Sequence, residues 1–252
     1  MECYTPKEIP YNALNTGIRK AQMSISQMII LGIMAGAYIG FAAEASTMAV
    51  HDFSTVGVGR FLAGIIFGAG LIMVVICGGE VFLGNVLLWV GFLEKKITAK
   101  QLLRNWLWVF TGNLIGAVLL AWMMNASGLW KINDYMSGAY ALKIALSKVN
   151  LTFSEAFFRG VMCNWLVCLA VWMAYAAKDV TGKILGIFFP IMLFITSGFE
   201  NSVANMYYLA AGLFLKASPA AVAALGAKTG SLTVSSVVIN NLIPVTLGNI
   251  VG

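Results

Sequence analysis

Between Lys183 and Lys216 the chain runs for 32 residues with one formal charge, Glu200. As a straight helix this stretch would be about 48 Å long at ~1.5 Å per residue. The hydrocarbon core of a bilayer is only about 30 Å thick. The stretch therefore tilts steeply or breaks, and its middle, FITSGFENSVANMY at 194–207, holds Ser197, Gly198, Glu200, Asn201, Ser202 and Asn205. Backbone that leaves the helix at membrane depth must be buried in protein or line a cavity. The stretch predicts a broken span beside a pore.

A second overlong run, Phe61–Leu93, repeats the pattern: its single charge, Glu80, is flanked by Gly78, Gly79, Gly84 and Asn85. Uncharged apolar stretches also lie between Lys20 and Glu44, between Arg104 and Lys131, between Arg159 and Lys178, and after Lys228. Six spans result, and with them an all-α integral membrane protein. Composition agrees: 60% of the residues are hydrophobic and 10% charged, where a soluble domain carries about 25% charged residues. The net charge of +6 is scattered over loops and forms no basic stripe with interleaved aromatics, so no nucleic-acid partner is expected. An inside N-terminus places nine Lys and Arg on the cytoplasmic side and six outside, the orientation that loop charge favours.

In chain order, residues 1–20 are expected to form a cytoplasmic arm in which 11–20 folds as a short helix. The arm lacks the apolar core of a signal peptide, so the first span is expected to act as an uncleaved insertion signal. Span 1 (21–43) carries Gly32, Gly36 and Gly40 four apart, a spacing that lets helix backbones approach closely. Span 3 covers 105–130, a polar connection 131–153 carries Lys148, span 4 covers 152–177, and span 6 starts near Ser231. Glu155 and Arg159 share one face of span 4 and are expected to pair. The sole histidine, His51, falls in the loop after span 1. The four cysteines form no CxxC pair and read as small hydrophobes.

The chain is self-similar. Lys20, Gly32 and Gly36 recur 128 positions on as Lys148, Gly160 and Asn164; Glu80 and Asn85 recur 120 on as Glu200 and Asn205. Asn105 and Asn113 recur 136 on as Asn241 and Asn249. The expected organisation is one channel unit over 1–252: the arm at 1–20, a first three-helix repeat at 21–130 and a second at 148–252. Three spans per half is an odd number, so the second half enters the membrane inverted. Folds of this kind place their pathway between the halves, near paired broken helices. Here the breaks fall at 79–85 and 198–205, and the helices that restart after them would direct positive dipole ends at the pathway.

The segments GFENSVANM, LVCLAVWMAYA at 166–176 and GGEVFLGNVLL at 78–88 closely resemble signatures of the formate/nitrite transporter family, over essentially the whole chain. The resemblance implies an aquaporin-like fold, a homopentamer in the bacterial inner membrane and one pore per protomer. It implies no cofactor or metal. The substrates would be small monovalent anions (formate, nitrite or hydrosulfide), with hydrosulfide as the specific expectation. By position, Phe67, Val167 and Phe194 would form an outer apolar constriction, and Leu71, Val81 and Phe82 an inner one. Lys148 and Asn164 would bias the region between toward anions, Glu200 would hold the second break, and Leu83, Asn201 and Asn205 would complete the polar set. Two positions depart from the pattern: Asn201 stands where the family usually has histidine, and Glu80-Val81-Phe82-Leu83 replaces E-L-F-T. Asparagine does not titrate near neutral pH, so conduction is expected to depend little on pH and to be assisted by Lys148.

The same residues admit other readings. Lys148 also fits an exposed loop, and the three phenylalanines also fit a core. Glu80 and Glu200 could act as an acid/base pair in a membrane enzyme, but one histidine and no HExxH or Ser/His/Asp set argue for no enzyme. A water- or glycerol-like neutral-solute channel is the alternative, against which stands the absence of an NPA tripeptide at the breaks.

Overall fold

The computed structural model describes residues 3–252. Within them the regular structure is helical. An amphipathic helix α1 (Ile9–Ala21) precedes α2 (Ile25–Val50) and α3 (Val56–Cys77); α4 (Phe82–Asn85) and α5 (Leu88–Leu93) follow the first break. Then come α6 (Ala99–Ser127), α7 (Met136–Val149), α8 (Phe153–Ala176) and α9 (Val180–Ser197). Past the second break lie α10 (Ser202–Leu215) and α11 (Pro219–Leu225), bent by 108° from one another, and finally α12 (Val234–Val251). Six of these, α2, α3, α6, α8, α9 and α12, are long and apolar enough to cross a membrane. Their outward faces carry apolar side chains such as Leu107, Trp122, Phe158, Trp165 and Leu247, as a surface toward lipid or a neighbouring protomer requires.

Local sequence sets the helix ends. Ser24, Thr98 and Thr152 each close a capping box with Gln27, Gln101 and Glu155, which satisfies two orphan donors of a first turn. The two breaks open the same way: α3 and α9 stop at Gly78 (φ +83°) and Gly198 (φ +77°). A left-handed residue after the last turn ends a helix, and glycine adopts it without a steric cost.

Several boundaries differ from the sequence expectation. The breaks are shorter, because Phe82–Asn85 and Ser202–Asn205 have already returned to helix. Helix α2 runs past Ala43 to Val50, carrying a half-buried Glu44 that hydropathy takes as the end of the span. The connection 131–153 contains α7, fourteen residues long, and Lys148 lies in its last turn. Glu155 and Arg159 do pair, at 3.8 Å, but the pair is exposed at the start of α8, where Glu155 also closes the capping box. In α12 the turns over Val237–Leu242 widen to π geometry just before Pro244, which has no N–H to give the helix.

Close glycine packing joins the helices of each half. On α2, Gly32 lies against Val109 O and Gly112 of α6, and a side chain at Gly36 would collide with the Asn113 carbonyl. On α8, Gly160 meets Val245 O and Gly248 of α12. The second contact is the first carried 128 positions along one helix and 136 along the other.

Candidate functional site

Each break is clasped by one carboxylate. At the first, Glu80 accepts Asn85 Nδ2 (2.8 Å) and lies 3.0 Å from Lys20 Nζ. Asn85 Nδ2 also donates to Asn105 Oδ1 (2.8 Å), and Asn105 Nδ2 returns to the Lys20 carbonyl (3.0 Å). About two turns further along α6, Asn113 spans the gap: its Nδ2 donates to Gly32 O and Glu80 O, and its Oδ1 accepts Phe82 N–H, all at 2.8 Å. The Glu80 N–H donates to Leu31 O (3.1 Å). Backbone groups that leave the helix ladder are thus paired rather than stranded, as burial demands.

The second break repeats this wiring residue for residue. Lys148 Nζ lies 3.0 Å from both oxygens of Glu200. Asn205 Nδ2 donates to Glu200 (2.6 Å) and to Asn241 Oδ1 (2.7 Å), while Asn241 Nδ2 donates to Lys148 O (3.0 Å). Asn249 takes the part of Asn113, donating to Gly160 O (2.8 Å) and Glu200 O (3.0 Å) and accepting Ser202 N–H (2.9 Å). The Glu200 N–H reaches Arg159 O. Asn241 lies on the widened π turns of α12, a distortion that often marks a functional position. The halves differ at the lysines: Lys20 also donates to Asn85 Oδ1 (2.7 Å), whereas Lys148 sits 5.2 Å from the Tyr208 ring.

Between the breaks runs an apolar column. At the α1 end, a cavity of about 400 Å³ is walled by Arg19, Lys20, Val74, Glu80 and Tyr175, with Leu71 and Val81 at its boundary. Leu71 and Val81 also bound a second cavity of about 10 Å³, roughly the room of one water. That small cavity is enclosed by Ile39, Leu83, Val167, Ile191 and Asn201, and by Phe67 and Phe194. The two phenyl rings meet edge to face at 5.6 Å, and both side chains are buried.

The sequence candidates thus separate into two groups. Phe67, Leu71, Val81, Leu83, Val167, Phe194 and Asn201 gather around the small cavity. Lys148, Glu200 and Asn205 form the clasp behind it, and Asn164 hydrogen-bonds to Asn249 O (2.6 Å). Phe82 belongs to neither: its ring packs on Trp106 and Phe110 at 5.9 and 5.1 Å. Asn201 has a second duty, because its Oδ1 accepts Ala204 N–H (3.0 Å) and caps α10. Lys20, Asn105, Asn113, Asn241 and Asn249 join the clasps without having been marked as site residues in the sequence, although the internal repeat contains all five. Arg19 joins the wide cavity with no sequence pattern to mark it.

The family model for formate/nitrite transporters matches residues 7–252. The chain belongs to the formate/nitrite transporter family. It is therefore a multi-pass membrane transport protein and not an enzyme. The family resemblance extends to individual members. The chain is 40% identical to a probable formate transporter of Methanothermobacter thermautotrophicus over 92% of its own length and 86% of that protein's. It is 38% identical to the formate channel FocA of Escherichia coli K12, over 95% and 87% of the two chains. Among solved structures, a pentameric formate channel with formate bound superposes with a TM-score of 0.80 at 38% identity, covering 90% of this chain and 92% of that one. An FNT family ion channel superposes with a TM-score of 0.83 at 30% identity, covering 97% and 93%.

Proposed function

We propose that the chain assembles as a homopentamer in the inner membrane, N-terminus inside, with each protomer conducting small monovalent anions. Formate is the anion named for three of the four relatives above; hydrosulfide and nitrite are likewise small and monovalent and belong to the same proposal. The observation that carries the reading is the narrow column of Leu71, Val81, Phe67, Val167 and Phe194 with a charged, hydrogen-bonded clasp at each broken helix beside it. The unit is single, with an arm at 1–20 and two halves, 21–130 and 148–252, the second inverted because each half has three spans.

An unpaired charge in an apolar slit is costly to hold. Phe67 and Phe194 narrow the column on one side, and Leu71 with Val81 on the other, which leaves room for about one water between them. Three features offset the cost for an anion. Helix α10 directs its N-terminus, with the positive end of its dipole, at the cavity that Asn201 lines. Lys148 stands nearby, as half of a pair with Glu200 rather than as an isolated cation. At the wide cavity, the exposed Arg19 donates to the uncharged Thr16 (3.4 Å), which leaves its charge to concentrate anions at the mouth. Asn201 carries no titrating proton, so the side chain at the centre of the column cannot hand one to a passing anion.

The test is formate flux in liposomes containing the purified pentamer, against glycerol swelling in the same vesicles. Formate entry without glycerol entry supports the reading. Glycerol entry without formate entry replaces it with a neutral-solute channel.

A further inference from the structure

The two clasps match, but their surroundings do not. The offsets that carry Glu80 to Glu200, Gly36 to Asn164 and Asn113 to Asn249 also carry Phe82 to Ser202 and Phe110 to Thr246. In the first half, Phe82 and Phe110 pack edge to face at 5.1 Å, and Gly36 lies against α6 with no side chain. In the second half an aromatic wall has become a serine, a threonine and a carboxamide.

Three atoms of this second set, Asn164 Oδ1, Ser202 Oγ and Thr246 Oγ1, are buried without a hydrogen-bond partner in the protein. Asn164 and Ser202 are wholly inaccessible. All three residues gather around Asn249. Asn164 Nδ2 donates to its carbonyl (2.6 Å), and its Oδ1 accepts Ser202 N–H (2.9 Å). Thr246 lies three residues before it on α12, on the same helix face.

The behaviour of the other hydroxyls sharpens the contrast. Ser46, Thr47, Thr111 and Thr196, all within spanning helices, each return to the carbonyl four residues back at 2.6–2.8 Å. That bond is the usual refuge of a helical hydroxyl away from water. Thr246 does not make it. Ser202 opens α10, and the residue four back is Gly198 in the break. Both hydroxyls are buried donors without a partner in their own helix.

We propose that Asn164, Ser202 and Thr246 hold one water molecule at the N-terminus of α10, in the space that two phenyl rings fill in the other half. The water accepts from the two hydroxyls and donates to Asn164 Oδ1, and a buried water typically makes about three such bonds. Ser202 follows Asn201, which lines the small cavity, so the hydrated site lies directly behind the wall of the column. The second break holds an enclosed water where the matching position of the first is filled by the packed rings of Phe82 and Phe110. The water ties α8, α10 and α12 together at the point where α10 restarts, and this holds whatever the pore conducts.

High-resolution cryo-electron microscopy of the full-length protein in lipid nanodiscs reads the site directly. The expected result is one density peak at about 2.6–3.2 Å from all three atoms. Direct bonds among the three side chains, or a neighbouring side chain filling the space, would overturn the proposal. Melting temperatures of Ser202→Ala, Thr246→Val and the double variant give an independent readout. Because both hydroxyls serve one water, the double variant is expected to melt little below the lower single variant. Losses that simply add, or no loss from either change, contradict a shared water. If Ser202→Ala fails to assemble, the map of Thr246→Val decides: the peak vanishes or shifts if the proposal holds, and persists unmoved if it does not.

Discussion

Lys148 Nζ stands 3.0 Å from each carboxylate oxygen of Glu200, and the two side chains are only 12% and 7% exposed. A buried pair of this kind is fragile to loss of one member, because the other keeps its charge without compensation. Lys148→Met is therefore expected to destabilise the protein by about 3–5 kcal/mol. The double variant Lys148→Met/Glu200→Gln removes both charges and is expected to recover much of that loss. Thermal unfolding of the detergent-solubilised protein checks both. A double variant no more stable than the single one would mean that the pair does not compensate in this way.

The phenyl rings of Phe67 and Phe194 close the small cavity at 5.6 Å from each other. Phe194→Ala is expected to raise formate flux, by roughly tenfold for each ~1.4 kcal/mol taken off the barrier. Stopped-flow entry of formate into liposomes measures it. If the ring only fills a core, the same change weakens assembly and flux does not rise.

Asn201 lines the small cavity and carries a carboxamide, which does not titrate near neutral pH. Conduction by the unaltered protein is expected to vary little with pH beyond the change in formate protonation. Asn201→His introduces a group that charges between about pH 5 and 8, so flux is expected to climb as pH falls through that range. The change also removes the cap that Asn201 supplies to Ala204 N–H, costing about 1 kcal/mol. A pH profile identical to that of the parent would show that the central side chain plays no part in the proton balance.

Arg19 lines the wide cavity near the partnered Lys20. Arg19→Glu is expected to lower formate conductance at low ionic strength and to lose its effect as salt screens the mouth. Single-channel recording at two salt concentrations separates this steering effect from a structural defect, which salt would not erase.

Much of this was legible in the sequence because the constraint was geometric. Two apolar runs too long for a bilayer, each with a glutamate among glycines, located Gly78 and Gly198, and the 120-residue offset placed Glu80 opposite Glu200. The positions were legible, but their partners were not. Lys148 read as a member of a polar connection because Lys143 and Lys148 interrupt the apolar run of α7, whose buried stripe is Leu142, Ala145 and Val149, and its contact with Glu200 crosses 52 positions. Asn201 read as a pore residue only, since capping depends on where α10 restarts, and that point fell inside the expected break. Glu44 read as the end of a span because hydropathy counts a carboxylate as a terminus even where a helix continues past it. Phe82 read as a constriction, whereas its ring packs on Trp106 and Phe110, a side-chain direction that spacing alone does not give.

The most direct measurement is current through the purified protein in planar bilayers, comparing formate, hydrosulfide, nitrite and chloride across pH 5–8. The account predicts steady anion currents for the small monovalent set, with weak pH dependence. An absence of anion current from the folded, assembled protein, together with glycerol or water permeation, would contradict it.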